Sequence, residues 1–392
     1  MKNTITHITI WFTLVALIGN CQSLQEATRK GDLDAIRSFV SSGADLNATD
    51  DNGKTALLYA AIEGNTEAAT ILLQAGADPN VADKSRFTAL HYAARNDFPK
   101  VVSLLLLHKA NIKLKANVSG DTGTDWTALI LAARNKNSEC LQLLLNAGAE
   151  VNAASSSGWT ALHFAAREDD LESAKRLIAN GARLNDAEED GFTPLLIASH
   201  NGLEAMSSLL IDKGASVTQA SMGGVTPLHN TAKKNTLHIA ERLIQKGANV
   251  NAQTKSEQNT PLHYAAKYNS FEVAALLVKK SRVNVQNAAG HTPLLLAAAN
   301  NADRVVLLLA DNHVDVNAVH RIKSKKNNDF SEFTPLQAAA ANCSTNSVRA
   351  LLSKGAEKNF QTSDGLTAFK IAVFAARENS NCLHTADLLR GR

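Results

Sequence analysis

One short motif, a threonine followed by proline or alanine and then by leucine or phenylalanine, recurs ten times along this chain of 392 residues. The ten threonines are Thr55, Thr88, Thr127, Thr160, Thr193, Thr226, Thr260, Thr292, Thr334 and Thr367. Successive threonines are 33, 39, 33, 33, 33, 34, 32, 42 and 33 residues apart. A period this regular predicts one supersecondary unit that is copied and stacked on itself, rather than an ordinary globular enzyme domain.

The copy at residues 160–185 shows how each unit should fold. Thr160 stands where an N-cap belongs, because its hydroxyl can accept a hydrogen bond from an unpaired N–H of the first helical turn. A second stretch carries leucine, isoleucine and alanine at helical spacing and ends at Gly181, a residue suited to a left-handed cap. Each unit is therefore two helices and a polar link, and its apolar stripe can be buried only against a neighbouring copy.

Several copies carry the signature of a known family. Residues 88–94 read TALHYAA, residues 160–166 read TALHFAA and residues 260–266 read TPLHYAA. The second halves agree, with AGADPN at 75–80 and AGAEVN at 147–152. The chain resembles ankyrin-repeat proteins over nearly everything after residue 23. The resemblance implies an all-α repeat solenoid of stacked ankyrin repeats, in which helix–turn–helix units alternate with β-hairpin fingers.

The period also predicts the domain organisation. We count about ten to eleven units in a single ankyrin-repeat domain over residues 24–392, with a terminal cap at each end. The first cap, residues 24–50, lacks only the start of its first helix. Later repeats should begin near residues 51, 84, 123, 156, 189, 222, 256, 288, 330 and 363. The last has about four extra residues before Leu388 and no finger after it, which indicates a closing cap.

Residues 1–23 lie outside the repeat register. They hold Lys2 and then a mostly apolar run over residues 8–19, which is typical of a secretory signal and too short to span a bilayer comfortably. Residues 17–21 resemble a bacterial lipoprotein box in which Cys21 is lipidated, although Asn20 departs from the usual glycine or alanine. Ordinary cleavage after Cys21 or Ser23 is the alternative. We expect export to the bacterial periplasm, an envelope lipoprotein anchored through Cys21, or a secreted protein.

The other cysteines and the histidines favour structural roles. Cys140 falls on a second helix, where a small buried residue is expected. Cys343 and Cys382 map to the helix–helix turns of adjacent units, so the two could pair as a disulfide in an oxidising compartment. His91, His163, His229 and His263 share the fourth place of the signature, where the resemblance implies hydrogen bonds between neighbouring units. Other copies place leucine, isoleucine, glutamine or lysine there, so we expect no metal site and no cofactor.

Two positions of the unit are candidates for partner binding. The residue before the threonine is aromatic in a run of four copies: Phe87, Trp126, Trp159 and Phe192. The residue seven places after the threonine is basic in many copies: Arg95, Arg134, Arg167, Lys233 and Lys267. The resemblance places both on the concave face, with the rings on finger tips, outside the inter-repeat core and about 10 Å apart. Aromatic and arginine side chains most often anchor interfaces.

The alternative is that these residues are ordinary features of the repeat and that the irregular fingers set specificity. The two long gaps insert residues around 117–123 and 321–330, and insertions in repeat proteins often gather on the binding face. The second insertion holds four positive charges.

These features predict a non-enzymatic scaffold or adaptor, in the cell envelope or secreted, that binds a protein partner on its concave face. The alternatives are a regulatory or protective subunit of an exported enzyme and a secreted host-interacting factor. The net charge of +3 gives no reason to expect a nucleic-acid partner. We expect a monomer that touches a membrane only through a lipid on Cys21.

Overall fold

The structure, a computed structural model, describes residues 23–118, 120, 123–312, 314–323 and 330–391. Over these residues it contains 22 helices and two strands. Residues 1–22 of the predicted signal segment, which include Cys21, lie outside the described residues, as do parts of both insertions. The chain forms two compact regions, an N-terminal region up to Glu189 and a C-terminal region from Asp190.

The N-terminal region consists of five helix pairs, which we number as repeats 1 to 5. The pairs are α1 (Leu24–Lys30) and α2 (Leu33–Ser41), α3 (Ala56–Glu63) and α4 (Thr66–Gln74), α5 (Ala89–Arg95) and α6 (Pro99–Leu107), α7 (Ala128–Arg134) and α8 (Ser138–Asn146), and α9 (Ala161–Arg167) and α10 (Leu171–Ala179). First helices pack on the first helices of adjacent repeats, as α3 does on α1 and α5.

The C-terminal region consists of six helix pairs, repeats 6 to 11, and one hairpin. The pairs are α11 (Pro194–Asn201) and α12 (Glu204–Asp212), α13 (Pro227–Lys234) and α14 (Leu237–Gln245), α15 (Pro261–Lys267) and α16 (Phe271–Val278), α17 (Pro293–Ala299) and α18 (Asp303–Ala310), α19 (Pro335–Ala341) and α20 (Thr345–Ser353), and α21 (Ala368–Ala375) and α22 (Cys382–Arg390). Strands β1 (His320–Lys323) and β2 (Phe330–Phe333) precede α19. The predicted all-α stack of helix pairs is confirmed within each region.

Each signature threonine begins a helix, as predicted. Thr55, for example, has extended backbone dihedrals and its hydroxyl accepts a hydrogen bond from the N–H of Leu58 at 3.3 Å. In five repeats proline follows the threonine and occupies the first helical turn, where its missing N–H costs nothing. The threonine therefore fixes where the chain leaves the finger and enters the helix.

The core between repeats is built from small and aliphatic side chains. In α7 all six residues from Ala128 to Ala133 are buried, because the helix packs on the first helices on both sides. Alanine lets these helices approach closely, and leucine fills the space towards the second helices. No repeat could bury these surfaces alone.

The fingers are short hairpin-like turns that are joined to each other. Asp83 N–H donates to the carbonyl of Phe87 at 2.9 Å and closes one finger, and Asn117 N–H reaches back to the carbonyl of Ser85 at 2.8 Å. The first insertion lengthens the finger between Ala116 and Trp126, which pair as an antiparallel bridge. The second insertion lies between β1 and β2, which pair antiparallel. Both insertions therefore belong to fingers, as expected.

The two ends of the repeat array differ from the prediction in one respect. Helix α1 has seven residues, as many as α5, and Ser23 caps it by accepting a hydrogen bond from the Glu26 N–H at 3.2 Å. The prediction that the first helix lacks its start was therefore wrong, because serine does the work of the missing threonine. The extra residues of the last repeat lie in the six-residue turn 376–381, where other repeats have two or three. The single domain over 24–392 stays a prediction.

Candidate protein-binding face

The aromatic and basic positions singled out in the sequence meet in the N-terminal region. The guanidinium carbon of Arg95 lies 6.0 Å from the centroid of the Phe87 ring, and that of Arg134 lies 5.0 Å from the centroid of the Trp126 ring. Arg167 lies 5.2 Å from the Trp159 ring. Each ring precedes a short first helix and each arginine ends it, so the two come together in one repeat. We call these six residues the Arg–aromatic face.

The rings are more buried than the sequence suggested. Trp126 is fully buried and Phe87 is 5% exposed, whereas Trp159 is half-buried. The expectation that these rings lie outside the inter-repeat core was therefore wrong for Phe87 and Trp126. The Trp126 ring packs on Phe164 of the next repeat, with centroids 4.8 Å apart, and its Nε1–H donates to the carbonyl of Gly123 at 2.8 Å. What this face offers to solvent is therefore mainly guanidinium.

The arginines of the face differ in their charge partners. Arg167 forms an ion pair with Glu168 at 2.9 Å. Arg95 and Arg134 are exposed, and neither has a carboxylate partner within the described part of the chain. Desolvation lowers the pKa of Arg134, and the nearby charge of Arg167 lowers it further. The charge of Glu168 acts in the opposite direction and raises that pKa, so this end of the face carries positive charge that is offset in part but is not held in an ion pair among the described residues.

A cleft of about 310 Å³ lies where repeats 3 and 4 adjoin. It is lined by Phe87, Arg95, Val118, Leu131, Arg134 and Asn135. Its sides combine apolar carbon with two guanidinium groups, which is the mixture that recognises an anionic group attached to an apolar stem.

Two matches with family models identify the repeat. A model described as ankyrin repeats in three copies matches residues 24–116, 114–188, 170–254 and 228–320. A model of one ankyrin repeat matches residues 331–363. The chain belongs to the ankyrin-repeat family. The matches skip residues 321–330, which form the second insertion, and stop before the last helix pair of the ankyrin array. A search of curated proteins found no match.

The basic positions of the C-terminal ankyrin repeats find a different ring. Lys233 and Lys267 lie 5.5 and 5.7 Å from the centroid of Tyr268, which is 43% exposed. Phe192 is half-buried and meets His200 edge to face at 6.0 Å. The sequence analysis missed Tyr268 because it followed only two positions of the repeat, and Tyr268 stands one place after the basic one.

The signature histidines are structural, as the ankyrin resemblance implied. His91 Nδ1 lies 2.8 Å from the Thr88 hydroxyl, and its Nε2 donates to the Leu114 carbonyl at 3.0 Å. His229 and His263 bond the next finger in the same way, at the carbonyls of Asn259 and His291. Burial lowers the pKa of His91, His229 and His263 to about 4, so all three are neutral near pH 7.

The described residues hold no group of three or more His, Cys, Asp and Glu side chains placed to bind a metal ion. None of the described helices has the length and apolar character needed to cross a membrane. Cys140 is fully buried, as predicted, and burial raises the pKa of its thiol to about 12.

Cys343 and Cys382 are brought together as a disulfide pair, with Cα atoms 4.5 Å apart. Cys343 lies in the turn between α19 and α20, as expected, whereas Cys382 is the first residue of α22 rather than part of a turn. The pair links the last two repeats.

Proposed function

We propose that this ankyrin-repeat protein is a non-enzymatic scaffold or adaptor that binds a protein partner on the Arg–aromatic face. Ankyrin repeats generally mediate protein–protein interaction, and both family models match this repeat. The observation that carries the proposal is the placement of three arginine side chains beside three rings in consecutive repeats, with the guanidinium carbons 5.0 to 6.0 Å from the ring centroids.

Stacking prepares these arginines for an interface. A free arginine side chain loses rotamer entropy when a partner immobilises it, and a guanidinium already resting on a ring has lost part of that freedom. The stacked fingers add rigidity, because the Ser156 N–H donates to the Thr124 carbonyl at 2.9 Å and so joins two of them. The partner therefore meets guanidinium groups whose spacing is already set, which favours slow dissociation.

The proposed role needs no catalytic group. The buried histidines are occupied by hydrogen bonds to threonine and to neighbouring fingers, and their low pKa keeps them uncharged near pH 7. The buried thiol of Cys140 has a raised pKa, which is the opposite of what a nucleophilic cysteine needs.

We further propose that the protein works outside the cytoplasm, in the bacterial envelope or as a secreted protein. The apolar run at residues 8–19 supports export, and the Cys343–Cys382 pair suits an oxidising compartment. Intact mass of the chain from native membranes would locate the cleavage site. If Cys21 carries a lipid, Cys21→Ala should move the protein to the soluble fraction, and recovery of the full-length chain from the cytosol would contradict export.

The binding proposal is tested by affinity capture with a matched control. The variant R95Q/R134Q/R167Q removes the three guanidinium groups of the face, and R29Q/R37Q removes exposed charge from repeat 1 of the same region. Proteins captured by the wild-type chain and by R29Q/R37Q should be lost with the triple variant, while the circular dichroism of all three chains stays the same. Equal capture by all three would move the interface away from this face.

A further inference from the structure

The cleft between Arg95 and Arg134 differs from the rest of the Arg–aromatic face in its unbalanced charge. Glu168 lies against Arg167 and neutralises it at 2.9 Å, whereas the first two arginines have no such neighbour among the described residues. Desolvation and the charge of Arg167 lower the pKa of Arg134, the charge of Glu168 raises it, and the charge of Arg95 lowers it, so two guanidinium groups act on Arg134 against one carboxylate. Because Arg95 and Arg134 line the same cleft, their like charges repel each other, and an added anion relieves that repulsion.

The walls of the cleft restrict which anion fits. Val118 is half-buried and supplies most of the exposed apolar surface, because Phe87 and Leu131 line the cleft but are only 5% and 1% exposed. An inorganic anion would leave this apolar surface uncovered. A carboxylate on a methylene stem satisfies both parts, because the stem covers apolar carbon while the oxygens meet the guanidinium N–H groups. The guanidinium groups of Arg95 and Arg134 donate no hydrogen bond to any residue that the structure describes, so their N–H groups remain for an acceptor.

Asn135 adds a polar contact at the cleft margin. Its amide nitrogen donates to the carbonyl of Leu131 at 2.8 Å. The amide oxygen accepts no hydrogen bond from any residue that the structure describes, so it is available to a backbone N–H of a bound chain. An extended segment of polypeptide provides such an N–H next to the side chain it carries.

We propose, on the basis of the proposed function, that this cleft binds an aspartate or glutamate side chain from an extended segment of the partner protein, with an apolar residue beside it. Arg95 and Arg134 bind the carboxylate, and the apolar neighbour packs mainly on Val118. The cleft thereby selects partners that present an acidic residue next to an apolar one.

The experiment titrates the full chain with three small peptides and follows the indole N–H signals of Trp126 and Trp159 by NMR. N-acetyl-Phe-Glu-amide carries a side-chain carboxylate, N-acetyl-Phe-Gln-amide carries none, and N-acetyl-Phe-Gln with a free C-terminus carries a terminal one. We expect a saturable shift of the Trp126 signal with the first peptide, with much smaller changes at Trp159. The second and third peptides should bind at least about tenfold more weakly, as expected when a charged hydrogen bond is lost.

Variants of the cleft complete the test. R134Q should weaken binding of the first peptide by about tenfold or more, R134K should weaken it less because the charge remains, and R37Q should leave it unchanged. Equal binding of the first two peptides, stronger binding of the third, or the absence of any carboxylate-dependent shift would overturn the inference. Inorganic phosphate binding as tightly as the first peptide would overturn it too.

The inference and the proposed function can fail separately. If R95Q/R134Q captures the native partner as well as wild type does while the variant that also carries R167Q loses it, the face binds the partner but the cleft does not select it. Loss of capture with R95Q/R134Q alone, together with glutamate-dependent peptide binding, supports the cleft as the selecting site.

Discussion

The two regions of this protein share one repeat but differ in the slot immediately before the signature threonine. After Lys54 the slot is a run of three rings in the N-terminal region, whereas it varies in the C-terminal region, where it holds Phe192, Val225, Asn259, His291, Phe333 and Leu366. In the N-terminal region the slot holds Phe87, Trp126 and Trp159, each covered by an arginine of its own repeat. In the C-terminal region Asn259 occupies the slot and accepts a hydrogen bond from Asn287 of the next finger at 2.8 Å. The Trp126 ring packs against the next repeat, and the Asn259 amide accepts a hydrogen bond from the next finger, so both side chains hold neighbouring repeats together.

The comparison shows which parts of the repeat are constrained. Threonine caps, buried alanines and buried leucines recur in both regions because the inter-repeat core needs them. The slot and the position seven residues after the threonine vary between repeats, the latter from Arg134 to Ala299 and Phe374. The Arg–aromatic face thus belongs to the N-terminal region, while the C-terminal region carries the two lysines beside Tyr268, the disulfide and the hairpin.

The largest expected effect tests whether the slot belongs to the core. Trp126→Ala should lower the free energy of unfolding by about 3–5 kcal/mol, because a fully buried ring is deleted. Val225→Ala, which changes the same slot in the C-terminal region, removes two methyl groups from a half-buried side chain and should cost about 1 kcal/mol. Urea denaturation measures both, and equal losses would mean that the two slots are equivalent.

The next expected effect is that of acid, which should destabilise the C-terminal region more than the N-terminal region. Burial lowers the pKa of His200, His229, His263, His291 and His320 in the C-terminal region, and of His91 in the N-terminal one. Between pH 6.5 and about 4 the unfolded chain binds protons at His229 and His263 that the folded chain does not, so stability falls as the pH falls. At pH 5 each of these two should cost about 2 kcal/mol.

Hydrogen exchange at pH 7 and pH 5, corrected for intrinsic rates, measures this effect region by region. Protection should fall more in the C-terminal region than in the N-terminal one. His229→Gln should reduce the dependence on pH, because glutamine offers similar polar groups but does not titrate there. A larger loss of protection in the N-terminal region would contradict the assignment.

The disulfide should produce a smaller and local effect. Cys343→Ser removes a crosslink across a sequence separation of 39 residues and should cost about 2–4 kcal/mol through the freedom of the unfolded segment. Protection should drop in repeats 10 and 11 while the N-terminal region stays unchanged. The double variant Cys343→Ser/Cys382→Ser controls for an unpaired thiol, and unchanged protection in both variants would show that the pair contributes nothing.

The smallest effect compares two glycines of the N-terminal region with nearly the same backbone. Gly158 and Gly181 have φ of 84° and 85°. A Cβ at Gly181 would meet nothing within 4 Å, whereas one at Gly158 would lie 2.9 Å from the Glu188 Cα of the next finger. Gly181→Ala should cost about 1 kcal/mol from the left-handed conformation alone, and Gly158→Ala about 1–2 kcal/mol more. Equal decreases in melting temperature for the two variants would show that the close contact between the fingers at Gly158 adds nothing to the cost of the substitution.

Much of the fold could be read from the sequence because the threonine signature acts locally. A threonine hydroxyl bonds an N–H three residues away, so its position fixes the helix start without knowledge of the remaining chain. The same local rule failed at the first repeat, since the search followed threonine and the cap is Ser23. A serine hydroxyl accepts a hydrogen bond from an unpaired N–H as a threonine hydroxyl does.

The candidate site was less accessible to sequence reasoning. The register placed Trp126 in a finger, but whether its ring turns inward depends on Phe164 of the next repeat, which offers a packing surface. Similarly, the charge that remains on Arg134 depends on the absence of a neighbour such as the one Arg167 finds in Glu168. Such features arise between repeats, so a pattern followed along one position does not contain them.

The serine cap on the first helix limits where a leader could be cut without harm to the fold. A cut on either side of Cys21 leaves Ser23 in place to accept the Glu26 N–H. A cut after Ser23 would remove that acceptor and put a protonated amine on Leu24, at the helix end where the backbone dipole already concentrates positive charge. If the leader is removed as proposed, cleavage on either side of Cys21 therefore preserves the cap of the first helix, whereas cleavage after Ser23 does not.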